Sequence, residues 1–210
     1  MKIEAVGKTD IGKRDNNEDS FLVDLENLIF LVCDGVGGNK SGEVASSCAC
    51  STVKKFWNNI NINIDYRLND KLSLLPQDSI KLVNLVRLAN HLVYLDSLKS
   101  LDKRGMGTTI AGISFNEDGY ATLVNVGDSR IYRLKNGNLE QLSRDHTMAN
   151  ELLEDGEISE NELKDFWGKH EITRALGAGP TVKIDIHIEP VEKDDTFVIC
   201  SDGLSGVVPN

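Results

Sequence analysis

The chain has 210 residues, with 33 Asp and Glu against 23 Lys and Arg and a formal net charge of −10. That length suffices for one domain burying ~70% of its unfolded surface, and the acidic balance excludes a binder of nucleic-acid backbones or of anionic membrane surfaces. No apolar run approaches the ~20 residues of a membrane helix, and residues 1–10 hold no signal-peptide core. The expectation is a monomeric cytoplasmic domain spanning 1–210, without nucleic-acid or membrane partners.

In chain order, the polar cluster Asn17-Glu18-Asp19 precedes a first apolar strand at 28–33, which stops at Asp34-Gly35. Helical spacing of Val44, Ala45, Cys48, Ala49, Thr52, Val53, Phe56 and Trp57 predicts a helix over 42–60, and an Asn-rich connection follows at 58–68. A second helix is predicted from 79 to about 103, with Asp78 or Ser79 as cap and a wide stripe that includes Leu82, Val86, Val93 and Leu98. Strands follow at 110–115, 121–126 and 129–134, and Asn136-Gly137 turns the last of these into 139–142. A polar region at 146–170 holds a Ser159…Glu162 capping box, and a buried strand at 196–200 ends the series. Strands in runs and helices in blocks indicate an α+β fold. Cys33, Cys48, Cys50 and Cys200 include no CxxC pair and read as small buried hydrophobes in a reducing compartment.

Two apolar strands end alike, in Cys33-Asp34-Gly35 and Cys200-Ser201-Asp202-Gly203, and Val126-Gly127-Asp128 repeats the theme with glycine first. A carboxylate on rigid backbone at the edge of a dry core needs a cation or hydrogen-bond donors. The adjoining glycine allows a sharp turn and brings its carbonyl close to the same point. With Glu18 and Asp19 these residues make a hard-oxygen set suited to Mg²⁺ or Mn²⁺ rather than zinc. From the residues alone, a calcium-stabilised structural protein remains an alternative to an enzyme.

Seven motifs occur in order: Arg14-Asp15-Asn16-Asn17-Glu18-Asp19, Asp34-Gly35-Val36-Gly37-Gly38, Gly42-Glu43-Val44-Ala45-Ser46, Gly105-Met106-Gly107-Thr108-Thr109, Val126-Gly127-Asp128-Ser129-Arg130, Ile172-Thr173-Arg174-Ala175-Leu176-Gly177 and Ser201-Asp202-Gly203-Leu204. Together they resemble the metal-dependent serine/threonine protein phosphatases of type 2C, in their compact bacterial form. The resemblance implies a four-layer α-β-β-α sandwich of two antiparallel sheets flanked by helices, with 146–170 as a flap beside the site. It also implies two core Mn²⁺ or Mg²⁺ ions bridged by Asp34, with the Gly35 carbonyl, Glu18 and Asp202 as further ligands. Asp128, with Asp202, would hold a weaker third ion. Asp19 would orient the attacking water, a hydroxide shared by the two ions, and Arg14 would bind the substrate phosphate. Thr108 and Thr109 read as packing at a strand start, and Arg130 and Arg174 as structural ion-pair partners.

The implied function is hydrolysis of phosphoserine and phosphothreonine on proteins, opposing a Ser/Thr kinase. A phosphorylated sigma-factor antagonist is a substrate the same chemistry would serve. The chain departs from the family pattern at Val36, at Asn39 and at Gly206, the last weakening the third-ion assignment. Family members also continue past Ser201-Asp202-Gly203-Leu204 through a helix to a further Asp ligand and a last strand, which 1–210 lacks. That departure leads to the expectation of a weakly active or inactive chain. It keeps a non-catalytic regulatory module, binding a signalling partner, as the alternative.

Overall fold

The computed structural model describes residues 2–37, 41–59, 75–163, 166–169 and 171–208. Its first hairpin joins β1 (Asp19–Asp24) to β2 (Ile29–Val36), and the Asp24 carboxylate closes the turn by accepting from the N–H groups of Glu26 and Asn27. The sheet continues through β4 (Ile110–Phe115), β5 (Tyr120–Val126) and β8 (Asp185–Pro190), in the order β1-β2-β4-β5-β8. The two-residue β3 (Gly107–Thr108) pairs with the end of β2. A second sheet sets β6 (Arg130–Lys135) between β7 (Asn138–Gln141) and β9 (Thr196–Cys200). All these pairings are antiparallel.

Side chains of the large sheet divide between its two faces by the period-two rule of strands. Ile29, Leu31 and Cys33 of β2, Ile110 of β4, and Val124 and Val126 of β5 pack with residues of α1 (Ser41–Phe56) and α2 (Gln77–Ser97), among them Ala49, Val53, Leu82 and Val86. The alternate residues Ala111, Ile113, Ala121 and Leu123 meet Ile131, Phe197 and Ile199 of the small sheet. Phe115 links the sheets edge-on, with ring centroids 5.8 Å from Phe30 and 5.4 Å from Phe197. Each fully buried Leu or Ile in these layers contributes ~1.5–3 kcal/mol. The result is the expected α+β sandwich of two antiparallel sheets with helices, and the one-turn α5 (Asp202–Ser205) lies against β9. No described helix is long and apolar enough to cross a membrane.

Several expectations change in detail. β2 does not stop before Asp34-Gly35 but runs through it, because Gly35 and Val36 pair with Thr108 and Gly107 of β3. α2 ends at Ser97, and a separate 3-10 turn covers Leu101–Lys103. Leu98 and Leu101, in the stretch expected to be helical, are 61% and 79% exposed. Neither Asp78 nor Ser79 caps α2. Pro76 occupies the N-cap position, and the Ser79 hydroxyl instead meets Thr122 of β5 at 2.8 Å. β1 and β8 had no counterpart among the predicted strands, although Ile186 and Ile188 alternate with polar residues.

The Asn136-Gly137 turn forms with positive φ at both residues, as a two-residue hairpin needs. Within 146–170, α3 (Met148–Glu154) is capped by the Thr147 hydroxyl. α4 (Glu160–Leu163) opens with the reciprocal Ser159–Glu162 bonds of a capping box. The ends of that region are tied by the Thr147–Ile172 bridge and by Thr173 N–H donating to the His146 carbonyl. The expectations for Asn39 and for most of 58–68 fall on residues outside the described ones.

Candidate active site

The register of the first hairpin sets Asp19 directly opposite Asp34. Directly opposed residues share a face, so two carboxylates meet there, and like charges so placed are destabilising. Asp34 is 7% exposed. Burial, followed by the charges of Asp19, Asp202 and Asp128, pushes its pKa up to about 8. Burial and then Asp202 push Asp128 up to about 6.

The backbone of Asp34 is held from one side by β3 and β4. Its N–H donates to Thr109 Oγ1 at 2.9 Å, and its carbonyl accepts from Thr109 N at 2.8 Å and from Thr108 Oγ1 at 3.0 Å. Thr109 Oγ1 lies 2.6 Å from Ser129 Oγ, the residue after Asp128. Thr108 and Thr109 therefore do more than pack: they position Asp34 and join it to the Asp128 turn.

The N-terminus of α1 closes the other side. Gly35 N–H donates to the Glu18 carbonyl at 3.1 Å, and Ser46 Oγ of α1 donates to the same carbonyl at 2.6 Å. A Cβ on Gly35 would lie 2.1 Å from the Gly42 carbonyl oxygen, and one on Gly42 would lie 2.9 Å from the Glu18 carboxylate. Only glycines allow this approach, which sets Glu18 beside the start of α1. Ser201 Oγ donates to Asp19 Oδ2 at 2.8 Å and so ties the end of β9 to β1. Arg14 is exposed in a loop lining the cleft of about 650 Å³ that also contains Glu18, Asp19, Asp34 and Asp202.

The donors are all oxygens, gathered around a carboxylate that burial and then repulsion drive toward its proton. A hard divalent cation in this cleft would relieve that repulsion, so the residues fit Mg²⁺ or Mn²⁺. Among the described residues no three acidic, Cys or His side chains close on one point as a ready-made cage. Mg²⁺ needs none, since it is usually held by one or two carboxylates and keeps several waters.

The protein phosphatase 2C family model matches residues 6–210. The chain belongs to the protein phosphatase 2C family. It is 35% identical over 209 residues to a Listeria monocytogenes protein named serine/threonine phosphatase stp, covering 96% of this chain and 78% of that one. Its fold is similar to the Mycobacterium tuberculosis serine/threonine phosphatase PstP/Ppp, with a TM-score of 0.77, 31% identity, and coverage of 94% of this chain and 77% of that one. It is also similar to the catalytic domain of serine/threonine protein phosphatase PstP solved with two manganese ions, with a TM-score of 0.73, 31% identity, and coverage of 94% and 76%.

Against that family pattern, Asp19, Asp128 and Asp202 all come within electrostatic reach of Asp34, and Glu18 and Gly35 adjoin it through the backbone. Arg14 lines the same cleft without a bond that holds its guanidinium toward Asp34. Arg130 and Arg174 are structural. Arg130 grips Asp145 with Nε at 2.9 Å and Nη2 at 2.7 Å, while Arg174 pairs with Asp185 at 3.2 Å. The supporting hydroxyls of Ser46, Ser129 and Ser201 and the ring of His146 were not among the sequence candidates. Ser129 and Ser201 each adjoin a candidate Asp, a signal that could have found them.

Proposed function

We propose that this chain hydrolyses phosphoserine and phosphothreonine on proteins, as a divalent-metal-dependent enzyme opposing a cytoplasmic Ser/Thr kinase. The observation that carries this reading is the Asp19–Asp34 opposition, which leaves a buried carboxylate in need of a cation at the floor of an open cleft.

Glu18, Asp34, the Gly35 carbonyl, Asp128 and Asp202 would hold Mn²⁺ or Mg²⁺, with Asp34 shared by two core ions and Asp128 on a weaker third. When bound, such ions acidify water and neutralise phosphoryl charge. Asp19, fixed by Ser201, orients the attacking water and accepts its hydrogen bond. Arg14 presents its guanidinium to the phosphate oxygens from the cleft wall. A cysteine nucleophile is disfavoured: Cys33, beside Asp34, is fully buried, and the adjoining Cys50 thiol and burial push its pKa well up.

The test is hydrolysis of an aryl phosphate and of a phosphothreonine peptide, with Mn²⁺ or Mg²⁺, before and after chelation. Weak turnover that is lost on chelation and in Asp34→Asn is expected. A folded chain that binds Mn²⁺ yet hydrolyses neither substrate would instead support a non-catalytic module that binds a signalling partner.

A further inference from the structure

We propose that His146 is a positioning residue: it sets the Gly127-Asp128 turn and, through it, the affinity of the cation site that Asp128 shares with Asp202. The inference rests on the reading of Asp128 as a ligand given above.

Asp128 sits in the turn between β5 and β6, directly after Gly127, whose φ is +103°. On one side of that turn lies Thr109, whose Cγ2 would be 2.5 Å from a Cβ on Gly127. On the other side lies His146, only 1% exposed. Both polar groups of the Gly127 backbone end on this one residue. Gly127 N–H donates to His146 Nδ1 at 3.0 Å, and His146 N–H donates to the Gly127 carbonyl at 2.9 Å.

An Nδ1 that accepts a hydrogen bond carries no proton, so the ring hydrogen is on Nε2. Nε2 lies 3.1 Å from Asp185 Oδ2, and Asp185 is in turn paired with Arg174 at 3.2 Å. Asp185 thus stands beside Nε2 on β8 without hydrogen-bond geometry, and the ring delivers its Nδ1 lone pair to the turn. Asn125, opposite Asp185 in the β5–β8 register, adds an Nδ2 donor to the Gly127 carbonyl at 3.3 Å. No group of His146 reaches Asp128 itself, so whatever it does to a cation there acts through the Gly127 peptide. The same residue also roots the 146–170 region, since its carbonyl accepts from Thr173 N–H at 2.9 Å.

A role in packing and a role in positioning make different demands on replacements. In His146→Asn, the amide Oδ1 stands where Nδ1 stood and can accept from Gly127 N–H, while the reach to Asp185 is lost. In His146→Gln, the terminal amide stands nearer the place of Nε2 and serves Asp185, while the acceptor for Gly127 is lost. Asn is one methylene shorter than Gln and leaves the larger void, so packing alone makes His146→Asn the more damaging of the two.

The experiment is a titration of the chain with Mn²⁺ alone, followed by electron paramagnetic resonance of free Mn²⁺ and by calorimetry, with thermal unfolding in chelator as a check on folding. The weaker binding step of His146→Gln is expected to lose about tenfold or more in affinity, the range for residues that orient a ligand. The tighter step should hold, and His146→Asn should resemble the unaltered chain. Weakening in His146→Asn equal to or greater than that in His146→Gln, or none in either, overturns the proposal. If the Gln variant does not fold, the Asn variant decides alone: a retained weak step supports the proposal and a comparably weakened one overturns it. Asp128→Asn separates the two levels. A weak step absent from the unaltered chain, or persisting in Asp128→Asn, overturns the reading of Asp128 and this inference with it. A step lost in Asp128→Asn but unmoved in His146→Gln overturns the inference alone.

Discussion

Asp34-Gly35 and Asp202-Gly203 both follow a short apolar run that reaches a cysteine, yet the molecule holds the two turns in different ways. Asp34 is buried, lies inside β2, and has both backbone groups bonded to Thr109. Gly35 is jammed against the Gly42 carbonyl. Asp202 is half-buried at the start of the one-turn α5, and Gly203 is exposed. A Cβ on Gly203 would meet nothing nearer than Ser201 Oγ at 3.6 Å. One acid is thus fixed by two β-ladders and a helix, while the other is held from one side.

The largest expected effect comes from adding one methyl group to each turn. Gly35→Ala must displace backbone, so hydrolysis should fall below detection and thermal unfolding should show a loss of about 3 kcal/mol or more. Gly203→Ala should stay within about 0.5 kcal/mol and retain activity. Equal losses in the two variants would break the comparison.

A smaller effect concerns pH in the metal-free chain. Asp34 titrates near 8 in the fold against an ordinary 3.8, so between those values the folded state binds more protons than the unfolded state. Stability then falls as pH rises, fully present below about 4 and lost progressively up to about 8. Melting temperatures in chelator should accordingly drop from pH 5 to pH 8. Saturating Mn²⁺, which binds the ionised carboxylates, should abolish that drop, and Asp34→Asn should flatten the slope without metal. A metal-free slope that survives Asp34→Asn unchanged would assign the effect elsewhere.

The smallest effects separate the supports of the two acids. Thr109→Val leaves the buried N–H of Asp34 without its acceptor and should cost about 1–3 kcal/mol by denaturant unfolding, with reduced turnover. Ser201→Ala frees Asp19 in a part-buried, solvent-reached place and should cost less than about 1 kcal/mol, its effect appearing mainly in turnover. The reverse order would show that the end of β9, rather than the link between β3 and β4, anchors the site.

Much of this architecture was legible from local patterns. The 28–33, 110–115, 121–126 and 196–200 strands are dense in β-branched and aromatic residues, and the Asn136-Gly137 hairpin and the Ser159–Glu162 box are short-range chemistry. β1 was harder to see because Phe21 faces solvent while Leu22 is buried, beside a loop whose acids suggested only a cluster. Asp78 and Ser79 do not cap α2 because the helix starts at Gln77, which puts both inside its first turn, and the Ser79 hydroxyl meets Thr122, a residue distant in sequence.

By itself, the order of residues singled out Glu18, Asp19, Asp34, Asp128 and Asp202 as a set of hard oxygen donors, and the family resemblance it carries proposed Arg14 for the substrate phosphate. Only the tertiary structure decided which of them oppose one another and what holds them there. That Asp19 faces Asp34 depends on strand register, that Gly35 must be glycine depends on the approach of α1, and that Thr109 bonds Asp34 and His146 bonds Gly127 depends on contacts across distant segments. Donor chemistry is a property of each residue alone. Repulsion, burial and positioning are properties of pairs, and a pair exists only once the sheets and helices have brought its members together.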